Sequence, residues 1–224
     1  MITKLPRWIW TGAWILSFVG GMVNVVGFLG FTHQAITHLT GTASMLALAL
    51  GAGDTATALH LAATIGSFVL GCVLSGFLIQ DSALQLGYRY GAVLFLEAAL
   101  LFAAIPLLNH GNEFGIYAAS FACGLQNAMV STYSGAVIRT THVSGMFTDL
   151  GIYLGHALRG LPVDLRRLRL SGIVISGFIS GGLAGGLSFP RLKYATLAIP
   201  ASIAALTSVA YAIHRVCHMA KARS

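Results

Sequence analysis

The stretch Thr37-His38-Leu39-Thr40-Gly41 returns later in the chain as Thr141-His142-Val143-Ser144-Gly145. Each copy follows a long apolar segment and precedes a short one, and the second copy begins 104 residues after the first, at 141 against 37. Two similar halves, each with a polar break inside apolar sequence, are typical of transporters that bind their substrate at interrupted helices between repeats. The stretch therefore predicts a membrane protein with a central polar site shared by its halves.

The composition places the whole chain in the membrane. Hydrophobic residues make up 56% of the 224 residues and charged residues 8%, with a mean hydropathy of +0.81. Soluble domains carry about 25% charged residues, whereas a spanning helix needs about 20 mostly apolar residues, so that roughly six to eight helices fit. We predict an all-α integral membrane protein, with one membrane domain over 1–224, repeat one at 8–108 and repeat two at 114–214.

The net charge of +7 indicates an inserted protein rather than a nucleic-acid-binding one, because the cations lie between apolar segments. The main cations are Lys4, Arg7, Arg159, Arg166, Arg167, Arg169, Arg215, Lys221 and Arg223. Their distribution puts both termini in the cytoplasm. The apolar run Trp8–Phe31 is too long for the core of a signal peptide, so we predict an uncleaved first helix.

The hydropathy pattern divides each half into a long segment, a polar break, a short segment and two long segments. The predicted segments are Trp8–Phe31, Ala43–Ala52, Thr55–Ile79, Tyr90–Leu108, Gly115–Ile138, Met146–Leu158, Leu170–Phe189 and Tyr194–His214. The two short segments would extend only about 15–20 Å, well under the ~30 Å hydrocarbon core. We predict that they are broken or re-entrant helices and that the breaks at 32–42 and 139–145 face a shared polar interior.

The number of crossings follows from whether the short segments cross. If they do not, the chain has about six spans and an inverted repeat, which we predict; if they do, it has eight spans and a parallel repeat. The loops that would decide, 80–89 and 109–113, carry little charge, so eight spans stay open.

Two corresponding long segments carry small residues at every fourth position, which predicts close helix packing in lipid. These residues are Ser67, Gly71, Ser75, Gly177, Gly181 and Gly185.

Polar side chains at the two breaks are the candidate substrate-binding residues, because polar groups are costly in hydrocarbon and usually serve a function there. The candidates are Asn24, Thr37, His38, Thr40, Gly41, Gln126, Asn127, Arg139, Thr141, His142, Ser144, Gly145 and Asp149. The two glycines would let a ligand approach the backbone closely.

Three residues are candidates for proton coupling: His38, His142 and Glu97, the last in the middle of a predicted span. The alternative for each histidine is a buried, hydrogen-bonded residue that ties its break to a neighbouring helix. The alternative for Glu97 is a neutral acid hydrogen-bonded between helices.

Arg139 and Asp149 flank the second break, ten residues apart. The simplest interpretation is a structural ion pair across the break; the functional one is that the Arg139 guanidinium faces an anionic group of a substrate. The first half has uncharged Ala35 and Met45 at the corresponding positions, so the predicted site is asymmetric.

No motif of an enzyme is evident, since a P-loop, nucleophile elbow, HExxH, CxxC and GxGxxG are all absent. The three cysteines, Cys72, Cys123 and Cys217, are odd in number and read as packing residues rather than a disulfide framework. His33 and His38 lack a convincing metal spacing. We therefore predict no catalytic activity, no metal and no cofactor.

Three motifs carry a family resemblance: 124–128 (GLQNA), 139–145 (RTTHVSG) and 148–151 (TDLG), together with 27–29 and 37–42 in the first half. They resemble the YoaK family, also called DUF1275 or UPF0700, of small bacterial inner-membrane proteins. The family often has Asp where this chain has Asn24, and TGN where it has Thr40-Gly41-Thr42. The resemblance implies a multi-pass protein of the bacterial inner membrane and implies no particular activity.

Taken together, the residues favour a secondary transporter for a small polar solute or ion, whose halves rock about the paired breaks. One alternative is a non-transport assembly, sensor or lipid- and partner-binding protein whose basic loop Arg159–Arg169 binds anionic lipid or a partner. A channel that uses the same residues is the other. The predicted partners are membrane lipid and the unidentified solute or ion, and a homodimer is left open.

Overall fold

The computed structural model describes residues 7–30, 36–37, 39–79, 89–134 and 139–221, without the side chains of Arg7 and of residues 214–221. Within those residues the chain is helical and has no strand. The helices are α1 (Arg7–Gly30), α2 (Leu39–Gly51), α3 (Thr55–Leu78), α4 (Arg89–Asn109), α5 (Phe114–Ser134), α6 (Val143–Leu158), α7 (Leu165–Leu192), a 3₁₀-helix (Lys193–Leu197) and α8 (Ala198–Lys221). This confirms the predicted all-α class.

Several segments are long and apolar enough to cross a membrane. In the described part of the chain these are Trp8–Gly30, Thr55–Leu78, Arg89–Asn109 and Leu165–Ile213, the last of which runs through α7, the 3₁₀-helix and α8. α2 is apolar but short, with 13 residues. The chain is therefore a multi-pass membrane protein.

The two short helices begin earlier than predicted. α2 starts at Leu39 and α6 at Val143, so the last three residues of each repeated motif are helical. Hydropathy alone places these residues in the breaks, but their carbonyl groups accept hydrogen bonds from hydroxyl groups one turn further along the helix. Ser44 donates to the Thr40 carbonyl and Thr148 to the Ser144 carbonyl, each at 3.0 Å.

The predicted basic loop 159–169 is wrong in its second half, because α7 begins at Leu165 and carries three of the arginines. The Asp164 carboxylate accepts from the backbone N–H groups of Arg166 and Arg167 and so caps the helix at this earlier point. The predicted end of the seventh segment at Phe189 is also wrong, since α7 continues to Leu192. The chain turns at Lys193, with φ of 48°, and α8 begins at Ala198 rather than Tyr194.

α5 is described as far as Ser134. Residues 135–138, the end of the predicted segment Gly115–Ile138, lie outside the described residues.

The long helices pack in two parallel pairs. In the α3–α5 pair, Ser120 donates to the Thr64 carbonyl and Cys72 to the Gly124 carbonyl, so both helices run in the same direction. In the α1–α7 pair, Gly177 lies against the carbonyl of Trp14 and Gly185 against that of Met22, two turns further along both helices.

α1 and α5 run antiparallel to each other. The Trp8 ring at the start of α1 lies 5.7 Å from the Tyr133 ring at the end of α5. Further along, the Gln126 amide of α5 donates to the Leu16 carbonyl of α1 at 2.6 Å. α4 connects the two pairs, because it packs against both α5 and α8, while α8 packs against α1.

Glycines allow the closest approach in the α3–α5 pair. A Cβ on Gly71 would overlap the Phe121 carbonyl, and a Cβ on Gly124 would overlap the Phe68 carbonyl. Each helix thus contributes a Phe-x-x-Gly sequence whose glycine meets the phenylalanine carbonyl of its partner.

The α1–α7 pair repeats this reciprocal contact. Gly21 meets the Phe178 carbonyl and Gly181 meets the Phe18 carbonyl, again from two Phe-x-x-Gly sequences. The predicted packing role of Gly71, Gly177, Gly181 and Gly185 is confirmed by these backbone contacts.

Candidate functional site

A cavity of about 370 Å³ lies where the two polar breaks meet. Its walls come from the first break with the start of α2, from the second break, from α3 and from α5. The lining residues are Thr37, Leu39, Thr40, Phe68, Cys72, Asn127, Ala128, Ser131, Arg139, Thr141 and His142. Six of the predicted substrate-binding residues are therefore brought together: Thr37, Thr40, Asn127, Arg139, Thr141 and His142.

The first break is held against α1 by an asparagine. Oδ1 of Asn24 accepts two hydrogen bonds from Thr37, at 3.1 Å from the backbone N–H and at 2.8 Å from the hydroxyl. Thr37 is buried, so these bonds also satisfy polar groups that are removed from solvent. The bonds fix the chain one residue before His38, which itself lies outside the described residues.

The second break is held against α5 in the same way. Oδ1 of Asn127 accepts from the hydroxyl of Thr141 at 2.9 Å and from that of Thr140 at 3.4 Å. The neighbouring Gln126 donates to the Thr140 hydroxyl at 3.4 Å and to the Leu16 carbonyl of α1. In both halves, then, an asparagine of the preceding long helix binds the threonine just before the motif histidine.

His142 lies at the start of α6 with its imidazole exposed and lining the cavity. It is the N-cap residue, but its side chain makes no capping hydrogen bond to the helix. A Cβ on Gly145 would overlap the imidazole ring, so this glycine makes room for the ring over the first turn of α6. The imidazole is thus positioned by packing while its nitrogens stay available to a ligand.

Arg139 lines the cavity and is exposed. The predicted ion pair between Arg139 and Asp149 is wrong: in the described residues the ion pairs join His60 to Glu113 and Arg167 to Asp164. Asp149 is six residues into α6, which places it about 9 Å along the helix from its start. The guanidinium therefore faces the cavity without a carboxylate partner from this helix.

The other predicted substrate-binding residues do not line the cavity. Asn24 and Gln126 act through the threonines that they bind, and Gln126 is fully buried. Gly145 acts through the His142 ring. The structure assigns no contact with the cavity to Gly41, Ser144 or Asp149, whose role in binding stays a prediction.

Glu97 is buried on α4, with 1% of its surface exposed, and lies outside the cavity. Its Oε2 has no hydrogen-bond partner in the described part of the chain. A proton-coupling role for this acid stays a prediction.

The sequence interpretation missed five lining residues: Leu39, Phe68, Cys72, Ala128 and Ser131. Some of them could have been predicted from helical spacing, because residues four apart in a helix lie on the same face. Ser131 is one turn after Asn127 on α5, so it shares the face of a residue already singled out. Phe68 and Cys72 are likewise one turn apart on α3, but only the packing of α3 against α5 brings them to this site.

A second polar cluster ties the start of α3 to the start of α5. Nδ1 of His60 lies 3.0 Å from a Glu113 carboxylate oxygen and 3.0 Å from the Tyr117 hydroxyl. Tyr117 also donates to Glu113 at 3.3 Å. His60 meets these two partners only because α3 and α5 pack in parallel.

One family model matches residues 12–210, most of the chain, and is described as "Protein of unknown function (DUF1275)". The comparison with curated proteins and the comparison with solved structures each give no match.

Proposed function

This chain belongs to the DUF1275 family, and we propose that it is a transporter that moves a small polar solute or ion across the membrane. The observation that carries the proposal is the cavity lined by both polar breaks. Non-helical backbone at membrane depth is tolerated where it is covered by protein or faces a water-filled cavity, and transporters bind their solutes at such breaks.

The proposed topology has six crossings, made by α1, α3, α4, α7 and α8 and also by α5, which is long enough at 21 residues although it is not one of the strongly apolar segments given above. α2 and α6 have 13 and 16 residues, or about 20 and 24 Å, and would enter the membrane and turn back. The directions of the helices support this count. α1 and α5 occupy equivalent places in the two halves and run antiparallel, as an inverted repeat requires, whereas eight crossings would make them parallel.

The helix pairs give further support for an inverted repeat. In the two halves α1 corresponds to α5 and α3 corresponds to α7, so the α1–α7 pair is the counterpart of the α3–α5 pair. Both pairs are joined by the same reciprocal Phe-x-x-Gly contact. The short helices agree with this correspondence, because α2 packs on α3 and α6 packs on α7.

The two breaks are the proposed hinges of the transporter. The first break leads from α1 to α2, which packs on α3; the second leads from α5 to α6, which packs on α7. Each break therefore connects the α1–α7 pair with the α3–α5 pair. Rocking of one pair against the other would open the cavity to one side of the membrane at a time, with the hinge residues Thr37 and Thr141 held by Asn24 and Asn127.

The lining favours a solute that carries negative charge or hydrogen-bond acceptors. Arg139, His142 and several hydroxyl groups face the cavity, and none of its described lining residues is acidic. A guanidinium suits a carboxylate or phosphate group because its N–H donors form a planar fork.

The proposed location is the bacterial inner membrane, with both termini in the cytoplasm. With six crossings, the loop at 159–164 and the first turns of α7 also fall on the cytoplasmic side, and four arginines lie there. This agrees with the excess of cations that cytoplasmic loops carry.

Cys72 offers a direct test, because it lines the cavity while Cys123 is buried. A variant with Cys123→Ala and Cys217→Ser would be treated with a membrane-impermeant maleimide in inside-out and right-side-out vesicles. We expect Cys72 to be modified, and Ala128→Trp, which fills the cavity, to slow the modification. The matched control is Val73→Cys in a Cys72→Ala background, because Val73 is exposed on the lipid side of the same helix and should stay unmodified.

Failure of Cys72 to react from either side would mean a dry interior and would rule out the transporter. Flux into proteoliposomes completes the test, with phosphate and small carboxylates as probes. Saturable uptake that falls in Arg139→Gln supports a carrier, whereas a flux that does not saturate indicates a channel.

The crossings are tested separately with single cysteines at Asp54, Gln85, Gly111 and Leu192. Labelling from outside at 54, 111 and 192 but not at 85 is expected for six crossings. Labelling at 85 and 192 alone would establish eight crossings and would contradict the inverted repeat.

A further inference from the structure

A second cavity lies on the outer surface of the α1–α7 pair and is separate from the polar breaks. It measures about 430 Å³ and is lined by Trp10 of α1 and by Arg169, Gly172, Ile173 and Ser176 of α7. Because α1 and α7 are parallel, this cavity lies near the N-terminal ends of both helices. It therefore sits at one membrane surface and extends inward.

Most of the residues that line this cavity follow one another along α7. Arg169 is in the second turn of α7, and Ser176 is seven residues further, about 10 Å deeper. Between them Gly172 has no atom within 4 Å of the place where its Cβ would be, so the groove is open there. Ile173 adds an apolar wall, and Trp10 is a residue type that favours the interface between headgroups and acyl chains.

The charge at the mouth of the cavity is positive. Arg159, Arg166, Arg167 and Arg169 lie within eleven residues that contain a single carboxylate, Asp164. That carboxylate accepts from two backbone N–H groups at the start of α7 and lies 3.7 Å from Arg167. Arg169 is exposed and has no acidic partner in the part of the chain that the structure describes.

We propose that this cavity binds an anionic phospholipid of the leaflet at the N-terminal ends of α1 and α7. The Arg169 guanidinium binds the headgroup phosphate through charge-assisted hydrogen bonds, and an acyl chain lies over Gly172 and Ile173 toward Ser176. The neighbouring arginines raise the local concentration of anionic lipid but do not line the site. The inference is independent of solute transport, because it uses none of the residues of the first cavity.

Lipid retention by the full-length protein tests this proposal. Protein would be reconstituted in nanodiscs of phosphatidylglycerol and phosphatidylcholine in equal amounts, extracted into detergent, and examined by native mass spectrometry for retained lipid. The wild type is expected to retain phosphatidylglycerol selectively. Arg169→Gln is expected to lower that retention about tenfold, as loss of a charged hydrogen bond would.

The matched controls are Arg159→Gln and Arg167→Gln, which remove the same charge at positions that do not line the cavity. Each is expected to change retention by less than about twofold. Gly172→Leu, which fills the groove and keeps Arg169, is a second variant that should lower retention to the level of Arg169→Gln. Thermal unfolding in detergent checks that each variant is folded.

Equal losses of phosphatidylglycerol retention in all three arginine variants would show a diffuse electrostatic attraction to the surface and would overturn the proposed site. Retention that persists in both Arg169→Gln and Gly172→Leu would overturn it as well. Inorganic phosphate at millimolar concentration is the last arm: it should leave the bound phosphatidylglycerol in place, and displacement would indicate a site for free phosphate instead.

Discussion

Oδ1 of Asn127 lies 2.9 Å from the hydroxyl oxygen of Thr141, and this hydrogen bond ties the second polar break to α5. The corresponding bond in the first half joins Asn24 and Thr37 at 2.8 Å. The two asparagines differ in the hydrogen bonds made by their amide nitrogens. Nδ2 of Asn127 donates to the Cys123 carbonyl at 3.0 Å, whereas the described hydrogen bonds of Asn24 use only its oxygen.

We expect Asn24→Asp to be tolerated and Asn127→Asp to be harmful. An acid at 24 keeps the acceptor oxygen that the N–H and hydroxyl of Thr37 bind. An acid at 127 loses the donor to Cys123 and places oxygen against oxygen, at a cost of about 1–3 kcal/mol. Unfolding in detergent would measure both, and equal losses of stability would contradict the difference.

The bond itself is tested by a double-mutant cycle of Asn127→Ala with Thr141→Val. A coupling energy of about 1 kcal/mol is expected for a single buried hydrogen bond. Thr148→Val is the control, because that exposed hydroxyl bonds only within α6, to Ser144. A cycle with no coupling would mean that the second break is held by other contacts.

Gly145→Ala should displace the His142 imidazole from the cavity, because the added methyl group would occupy the space of the ring. The expected result is a loss of solute binding with a loss of stability under about 1 kcal/mol, since an exposed side chain can move aside. Gly151→Ala, on the same helix with open space around it, is the control and should leave binding intact. Unchanged binding in Gly145→Ala would show that the position of His142 does not matter for the solute.

The repeated motif was enough to predict that both breaks face one site, because polar residues at membrane depth need a common polar interior. It identified Thr37, Thr141 and His142, which the cavity brings together. It could not give Phe68 or Cys72, which are ordinary residues of an apolar helix until α3 packs against α5.

The ion pair between Arg139 and Asp149 failed for a related reason. Spacing along the chain does not give the direction of a side chain once α6 begins between the two residues, at Val143. The boundaries of the short helices were missed because hydropathy counts Thr40 and Ser144 as polar break residues, although both lie in the first turn of a helix and their carbonyls accept from Ser44 and Thr148.

Acid should loosen the start of α3. Hydrogen bonds from the Thr57 side chain and backbone N–H lower the pKa of the exposed Asp54 carboxyl, whose charged form caps the helix. A lowered pKa in the folded state means that the stabilisation is present above the ordinary pKa of an aspartate and is lost as the pH falls below about 4. The protection of the Thr57 amide, taken as its exchange rate relative to the intrinsic rate at each pH, should therefore fall in acid.

Asp54→Asn is the control for this effect, since asparagine is also a good N-cap and does not titrate. Its Thr57 amide should keep the same protection, relative to intrinsic exchange, across the acid range. The same pH dependence in wild type and Asp54→Asn would show that another group is responsible.

The reciprocal Phe-x-x-Gly contacts make a quantitative prediction about the two helix pairs. Gly124→Ala would force α3 and α5 apart at the Phe68 carbonyl, and Gly21→Ala would do the same to α1 and α7 at the Phe178 carbonyl. Overpacking of this kind costs about 1–3 kcal/mol. If the pairs are equivalent units of an inverted repeat, the two substitutions should lower the free energy of unfolding in detergent by similar amounts.

Gly76→Ala supplies the control, because this glycine of α3 has no atom within 4 Å of its would-be Cβ. It should be neutral or slightly stabilising, since alanine favours a helix over glycine by about 1 kcal/mol. A large loss in Gly124→Ala beside none in Gly21→Ala would mean that the α3–α5 contact alone holds the fold. The two pairs could then not exchange roles in a rocking motion, because only one of them would move as a rigid unit.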